Sequence, residues 1–255
     1  MTELKINENV QENASRLYDE AKHLREKAKG AEKALIETKK KLASLDEKLT
    51  VAKNKPDAAV RVKREKQWFE KFRFFYTSEN RLCIAGRDAR QNEQLFGRYL
   101  EDADLFFHAD IHGAPATILK DGVNASRKEK EEVAQFSASY SSAWKIGSTT
   151  VDVYAVHKDQ VTKRAESGEA LAHGGFVIRG EREWFRNTTL GLALCLGKEG
   201  VLSLPLIREK KDCVKISAGS MEKGETARKV GSLLGKAASI DEILQLLPSG
   251  NSSVK

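Results

Sequence analysis

The 255-residue sequence predicts an α+β protein: a long N-terminal coiled-coil helix, a mixed and mostly antiparallel sheet domain with helices, and a short helical C-terminal tail. Three observations carry that prediction. Apolar residues step by four and three from Val10 to Leu49, a 3.5-residue period. Near Phe74 the period falls to two. Beyond it, short β-branched and aromatic runs are punctuated by Gly, Asn, Asp and Ser, with longer helical patterns between them. The expected divisions are a coiled coil over 1–66, a sheet domain over 67–218, and a helical extension over 219–255 that ends in a disordered tail.

The first helix is expected over 8–53. Its seam reads Val10, Ala14, Leu17, Ala21, Leu24, Ala28, Ala31, Leu35, Thr38, Leu42, Leu45 and Leu49, and a left-handed supercoil keeps such a seam aligned. Asn7 or Asn9 is placed to cap its start. At 1.5 Å per residue the helix is about 65–70 Å long, and an apolar stripe of that length requires a partner. Pro56 ends it, and a second, shorter helix is expected from Asp57 through Trp68 and Phe72. Strands are expected at 73–77, 81–86, 104–109, 115–119, 150–157, 174–179, 190–196, 201–206 and 213–217. Helices interrupt them at 89–100, after the Gly86-Arg87-Asp88 turn, and at 127–145, opened by Ser126. Two more follow near 221–235 and 240–247, the second with a Ser239–Glu242 capping box, and the chain from Pro248 reads as disordered.

Charge narrows the function. Residues 1–50 hold eleven Lys/Arg against ten Asp/Glu, whereas residues 53–90 hold eleven against five. The local excess attracts polyanions and makes their binding salt-dependent. Cys83, Cys195 and Cys213 are far apart, with no C-x-x-C, so neither a disulfide framework nor a zinc knuckle is expected, and a reducing compartment, the cytoplasm, is the expected setting. No apolar run spans a bilayer. No cofactor motif is present: the glycines at 174–180 lack phosphate-loop spacing, and there is no nucleophile elbow or zinc-protease pair.

The block Trp68–Ala114 concentrates the candidate site. Its aromatic run, Trp68, Phe69, Phe72, Phe74, Phe75 and Tyr76, is expected mostly in the core, with one or two rings free to stack on bases. After the Gly86 turn, Asp88 is placed to cap a helix whose open N–H groups favour an anion. Arg87 and Arg90 supply guanidinium forks for phosphate, and Gln91 and Asn92 supply amides for base edges or the ribose 2′-OH. His108, Asp110 and His112 alternate, so in an extended strand they share a face. They are expected to take bases or ribose, with Asp88 and Asp110 orienting the donors. The rival expectation is a metal-dependent RNA-processing or RNA-modifying enzyme with His108, Asp110 and His112 as ligands and His157 or His173 as further ones. A third cluster, Gln160, Lys163 and Arg164, with Arg179 beyond it, adds phosphate contacts at Lys163 and Arg179.

In these residues the chain resembles the NFACT-R domain of the NFACT family, the ribosome-quality-control tail-extension factors. The resemblance rests on Trp68-Phe69-Glu70-Lys71-Phe72, on Gly86-Arg87-Asp88 with Gln91-Asn92-Glu93, and on His108-Ala109-Asp110 with His112-Gly113-Ala114. Ser142-Ala143-Trp144, Asp152-Val153-Tyr154, Gln160-Val161, Ser167-Gly168-Glu169 and Phe176 to Gly180 fit in the same order, so it spans about 66–190. Ala155, Lys158 and Ala170 depart from the family's common Trp, Pro and Tyr. The helix resembles the end of the family's middle coiled coil, and the C-terminal extension is similar to archaeal members. The resemblance implies a non-enzymatic RNA-binding component that holds tRNA, acts on obstructed large ribosomal subunits through rRNA and the stalk base, and promotes untemplated C-terminal tailing of stalled chains. The family's NFACT-N domain is not expected in this chain, which makes an NFACT-N-containing chain or a coiled-coil dimer the candidate protein partner.

Overall fold

The computed structural model describes residues 4–7, 9–53, 65–163, 174–235 and 238–255, with the backbone alone over 43–53. The chain divides into two compact units, Met1–Arg61 and Val62–Lys255. In the first, helix α1 spans Val10–Lys53. Asn9 caps it: its side-chain oxygen accepts the Glu12 N–H at 2.8 Å, and the Glu12 carboxylate accepts the Asn9 N–H at 2.9 Å. The heptad residues Val10, Leu24, Leu35 and Leu42 are exposed, so the seam is uncovered within the described unit. Pro56 and the expected start of a second helix lie outside the described residues. Where the description resumes, Trp68–Lys71 is a single 3-10 turn and Phe72 is extended, so no helix runs through Phe72. That side chain is needed in the core, where it is fully buried.

The second unit is built on a six-stranded antiparallel sheet in the order β1-β2-β4-β3-β5-β8. These strands are β1 (Arg73–Tyr76), β2 (Leu82–Ala85), β3 (Leu105–Ala109), β4 (Thr117–Leu119), β5 (Thr150–His157) and β8 (Glu183–Thr189). A two-stranded ribbon pairs β6 (Val161–Thr162) with β7 (Val177–Ile178). Alternation along the strands sends Phe75, Cys83, Leu105 and Phe107 to one core, and Ile84, Phe106, Ile118 and Val156 to the other. Both faces of the sheet are therefore covered. On the first face lies α3 (Arg127–Ser139), opened by a Ser126–Glu129 capping box. It does not continue to 145: Ser141 starts a separate short helix, α4 (Ser142–Lys145), by accepting the Ala143 N–H. The serines explain the break, because Ser139 bonds both the Gln135 carbonyl and the Gly191 backbone instead of presenting a smooth helical face.

A second antiparallel sheet, β10-β9-β11-β12, uses β9 (Leu192–Gly197), β10 (Gly200–Pro205), β11 (Cys213–Met221) and β12 (Ser252–Val254). It corrects two expectations. The chain after Pro248 is ordered as β12 on the edge of β11, and Trp144 donates its indole N–H to the Asn251 carbonyl at 3.0 Å. Cys195 and Cys213 stand opposite one another in the β9–β11 register and form a disulfide, while Cys83 is free and buried. Sequence distance had concealed their pairing. Helices α5 (Lys223–Leu234) and α6 (Ile240–Leu246) place Ala227, Val230, Ile243 and Leu247 in the same core as α3. Ser239 makes no side-chain cap for α6, so the expected capping box is not formed; Glu242 reaches the Val201 N–H at 3.4 Å.

Candidate nucleic-acid interface

The antiparallel register brings separate motifs to one end of the six-stranded sheet. Arg73 lies opposite Ala85, Ala85 opposite Thr117, Phe107 opposite Thr117, and Ala109 opposite Val153. The first residue of β1, the Gly86 turn, the loop after β3 and the entry to β4 therefore share that end. A cleft of about 510 Å³ opens there. Its wall includes Arg73, Arg87, Tyr140, Ser142 and Lys145, and also Phe106, His108, Tyr154, Phe176 and Ser249.

The Gly86 turn is built by α2 (Ala89–Gln94), which widens into a π-helical turn at Leu95–Tyr99 instead of running on as a regular helix to 100. Asp88 caps α2 by accepting the Gln91 N–H at 2.8 Å. Its carboxylate and the brevity of α2 replace the open anion site expected there. A Cβ on Gly86 would lie 2.0 Å from the Asn92 side-chain oxygen, so glycine is required for the turn to close on Asn92. Asn92 is buried, and its oxygen accepts the Ala116 N–H at 3.1 Å. Gln91 accepts the Arg87 N–H at 3.0 Å and donates to the Lys71 carbonyl at 3.2 Å. These two amides hold the turn to its neighbours.

The other predicted residues separate. Arg87 lines the cleft and donates to the Phe72 carbonyl at 3.3 Å, while Arg90 is exposed and outside the wall. His108 and His112 line the cleft, but Asp110 does not. The expected common face is lost because β3 ends at Ala109 and the chain turns at 110–113. Among the described residues, no group of three His, Cys, Asp or Glu is placed to hold a metal ion. His157 is exposed at the far end of β5, opposite Leu105. Asp110 donates its N–H to the Asp152 carbonyl at 2.8 Å and is otherwise exposed. Lys163 pairs with Glu93 at 3.0 Å, and Arg179 is exposed, with its carbonyl held by Gln160; neither is in the wall. Arg164, Ser167-Gly168-Glu169, Ala170 and His173 lie outside the described residues.

Several contributors escaped the sequence reading. Arg73 donates to the Gly86 carbonyl at 2.7 Å and lies 4.4 Å over the Tyr140 ring. Burial lowers its guanidinium pKa, and neighbouring Arg87 adds to that. Lys223, at the start of α5, is also held below its ordinary value, first by burial and then by Arg73 and Arg87. Arg73, Arg87, Lys145 and Lys223 form no ion pair with any described residue. The one acid in the cleft wall among the described residues is Asp88. Positive charge is thus left uncompensated where the surface is concave, which focuses the field outward.

The aromatic wall is equally specific. His108 lies parallel to Phe106, with 7° between planes and 6.3 Å between centroids, and 5.9 Å from Tyr154. Phe176 meets Phe106 at 5.3 Å. Burial lowers the His108 pKa to about 4, outweighing the backbone contacts at Ala109 and Ala114 that oppose it. Beyond Tyr154, Arg182 stacks over its ring at 4.6 Å, and Arg186 stacks over Trp184 at 3.8 Å. The proximity of Arg73 to Tyr140 and of Arg182 to Tyr154 was invisible in sequence, since only the register brings them together.

An α+β sheet domain with an uncompensated cationic cleft beside aromatic rings belongs to the class of RNA-binding domains. Residues 71–180 match the family described as the NFACT protein RNA binding domain, so the chain carries that domain. It is similar to the archaeal Rqc2 homolog aRqcH of Methanocaldococcus jannaschii, 37% identical over 203 residues that make up 76% of this chain and 30% of that one. It is also similar to two proteins named for the ribosome quality control complex. These are the subunit NEMF homolog of Drosophila melanogaster, 37% identical over 72% of this chain and 18% of that one, and human subunit NEMF, 35% identical over 68% and 16%. The chain thus spans less than a third of the length of these relatives. Among solved structures, the C-terminal part of the fibronectin/fibrinogen-binding protein from Streptococcus suis matches with a TM-score of 0.41 and 21% identity, over 70% of this chain and 76% of that one. No described helix is long and apolar enough to cross a membrane.

Proposed function

We propose that this chain is the RNA-holding part of a ribosome-associated quality-control factor. It binds tRNA and the rRNA of obstructed large ribosomal subunits, and it promotes untemplated C-terminal tailing of stalled nascent chains in the cytoplasm. It acts as a binding module and contributes no catalytic group or cofactor of its own. The helix α1 reaches toward the stalk base and lays its heptad seam on a partner, either a second copy or an NFACT-N-containing chain. The names of the similar proteins support the ribosomal setting. The observation that carries the RNA reading is the cleft with Arg73, Arg87 and Lys145 in its wall, none of them in an ion pair with a described residue, all three within the matched residues 71–180.

The test is binding of labelled tRNA by the full chain across a salt series. With several phosphates neutralised, affinity is expected to fall by about a factor of ten or more between low and physiological salt. Binding that is absent, or indifferent to salt, overturns the reading. Co-sedimentation with purified large subunits then tests the ribosomal part: recovery in the pellet is expected, and its absence overturns that part alone.

A further inference from the structure

A surface that only tracks phosphates needs cations at intervals, with no recess between them. Here the cations flank a recess lined by Phe106, His108, Tyr154 and Phe176. Phe106 joins two of the other rings: it lies 6.3 Å from His108 and 5.3 Å from Phe176. The His108 Nδ1 and the Tyr154 hydroxyl, 3.4 Å apart, give the recess a polar edge. Burial keeps the imidazole neutral, so it is a poor phosphate ligand but retains a flat face and both a donor and an acceptor. On the other flank, Lys145 and Arg87 lack carboxylate partners among the described residues. The volume, about 510 Å³, is that of a site for one small organic group, and a duplex is too wide to enter it.

We propose that the cleft takes a single unstacked RNA nucleotide, its base against His108, Tyr154 and Phe176 and its phosphate toward Arg87 and Lys145. This deepens the function proposed above and rests on it. Recognition of one splayed nucleotide uses stacking and the base edge, neither of which a paired strand offers. Domain and RNA would then be registered by one inserted base, with the contiguous Arg182–Tyr154 and Arg186–Trp184 stacks extending the surface beyond the recess.

The experiment uses the full chain and fluorescence-labelled RNA trinucleotides. One is intact, and one is abasic at its central position so that the phosphates remain. A short RNA duplex, inorganic phosphate and tRNA serve as competitors. Removing the central base is expected to weaken binding about tenfold. His108→Ala is expected to weaken the intact trinucleotide and leave the abasic one unchanged. Lys145→Ala is expected to weaken both severalfold. The duplex and inorganic phosphate are expected to compete poorly. Equal affinity for intact and abasic RNA overturns the proposal, as does equal loss for both in His108→Ala. If His108→Ala fails to fold, the comparison of intact with abasic RNA decides alone. tRNA binding without base discrimination in the trinucleotide removes the single-nucleotide site and leaves RNA binding standing. Absence of tRNA binding removes both.

Discussion

Around α3, the carboxylates of Glu129 and Glu132 are fully buried, and each is met from within the fold. Glu129 accepts from Thr77, Arg81 and Ser126, while Glu132 accepts from the Ser78 N–H at 2.9 Å and from Arg208 at 3.4 Å. At the sheet end, Arg73, Arg87 and Lys145 sit in a cleft with no carboxylate partner among the described residues. Both regions confine charge at a protein surface or interior, yet only the first is balanced. A desolvated charge that the fold itself neutralises serves the fold, because losing its partner strands it. A cationic group that the fold leaves unmatched, in a site with room for another molecule, is neutralised from outside. The α3 network ties the β1–β2 hairpin to the central helix; the cleft is the place proposed for the ligand.

The comparison breaks most decisively at Arg81, which also reaches Glu79 and Asp121, each at 3.2 Å. Arg81→Met leaves Glu129 charged, buried and short of its cation. Unfolding in urea is expected at a clearly lower midpoint than in the parent, while RNA affinity of the protein that remains folded stays unchanged. An unchanged midpoint would place this pair with ordinary surface bridges and remove the contrast.

His108 sharpens it from the other side. Its folded-state pKa is lowered from 6.5 to about 4. Between those values the unfolded chain binds a proton that the folded chain refuses, so stability falls as pH falls through the window. At pH about 5.5, one unit below the ordinary value, the cost from this residue is about 1 kcal/mol relative to neutral pH. Subtracting the stability profile of His108→Gln from that of the parent chain isolates it. A difference that stays flat from neutral pH down to the window's lower edge contradicts a desolvated ring in the cleft wall.

The two regions also differed in how legible they were. Ser126 marked the start of α3, and apolar alternation marked β1 to β5, because both are local patterns. The edge strand β8 was missed: Glu183, Arg186 and Asn187 face solvent or neighbouring charges, so its alternation is diluted, and Asp152 secures the bulge beside it through the Asn187 N–H at 2.8 Å. β12 was missed because a three-residue strand of Ser and Val takes its structure from β11, not from its own propensity. Within the site, the Gly86-Arg87-Asp88 motif was visible, but the bonds its amides make were not. Gln91 and Asn92 are polar residues that bond backbone across the turn, a use sequence cannot separate from exposure. Arg73 and Lys223 were overlooked for the opposite reason: they are about 150 positions apart and share a neighbourhood only through the tertiary fold.

The smallest effect comes from a single exposed cation. Lys145, at the end of α4, lines the cleft and has no ion pair with a described residue. Lys145→Ala therefore removes charge without stranding a partner, and its stability is expected to match the parent within about 0.5 kcal/mol. If the cleft contacts a phosphate, the slope of log affinity for tRNA against log salt should become shallower by roughly one. Lys215, which pairs with Glu209 at 2.5 Å, supplies the matched control. Lys215→Ala removes the same formal charge, but that charge was already matched by Glu209 within the fold, so no comparable loss of a phosphate contact is expected. Equal slopes for the two variants would mean that RNA responds to net charge alone, and that the unpaired cations of the cleft have no special claim on it.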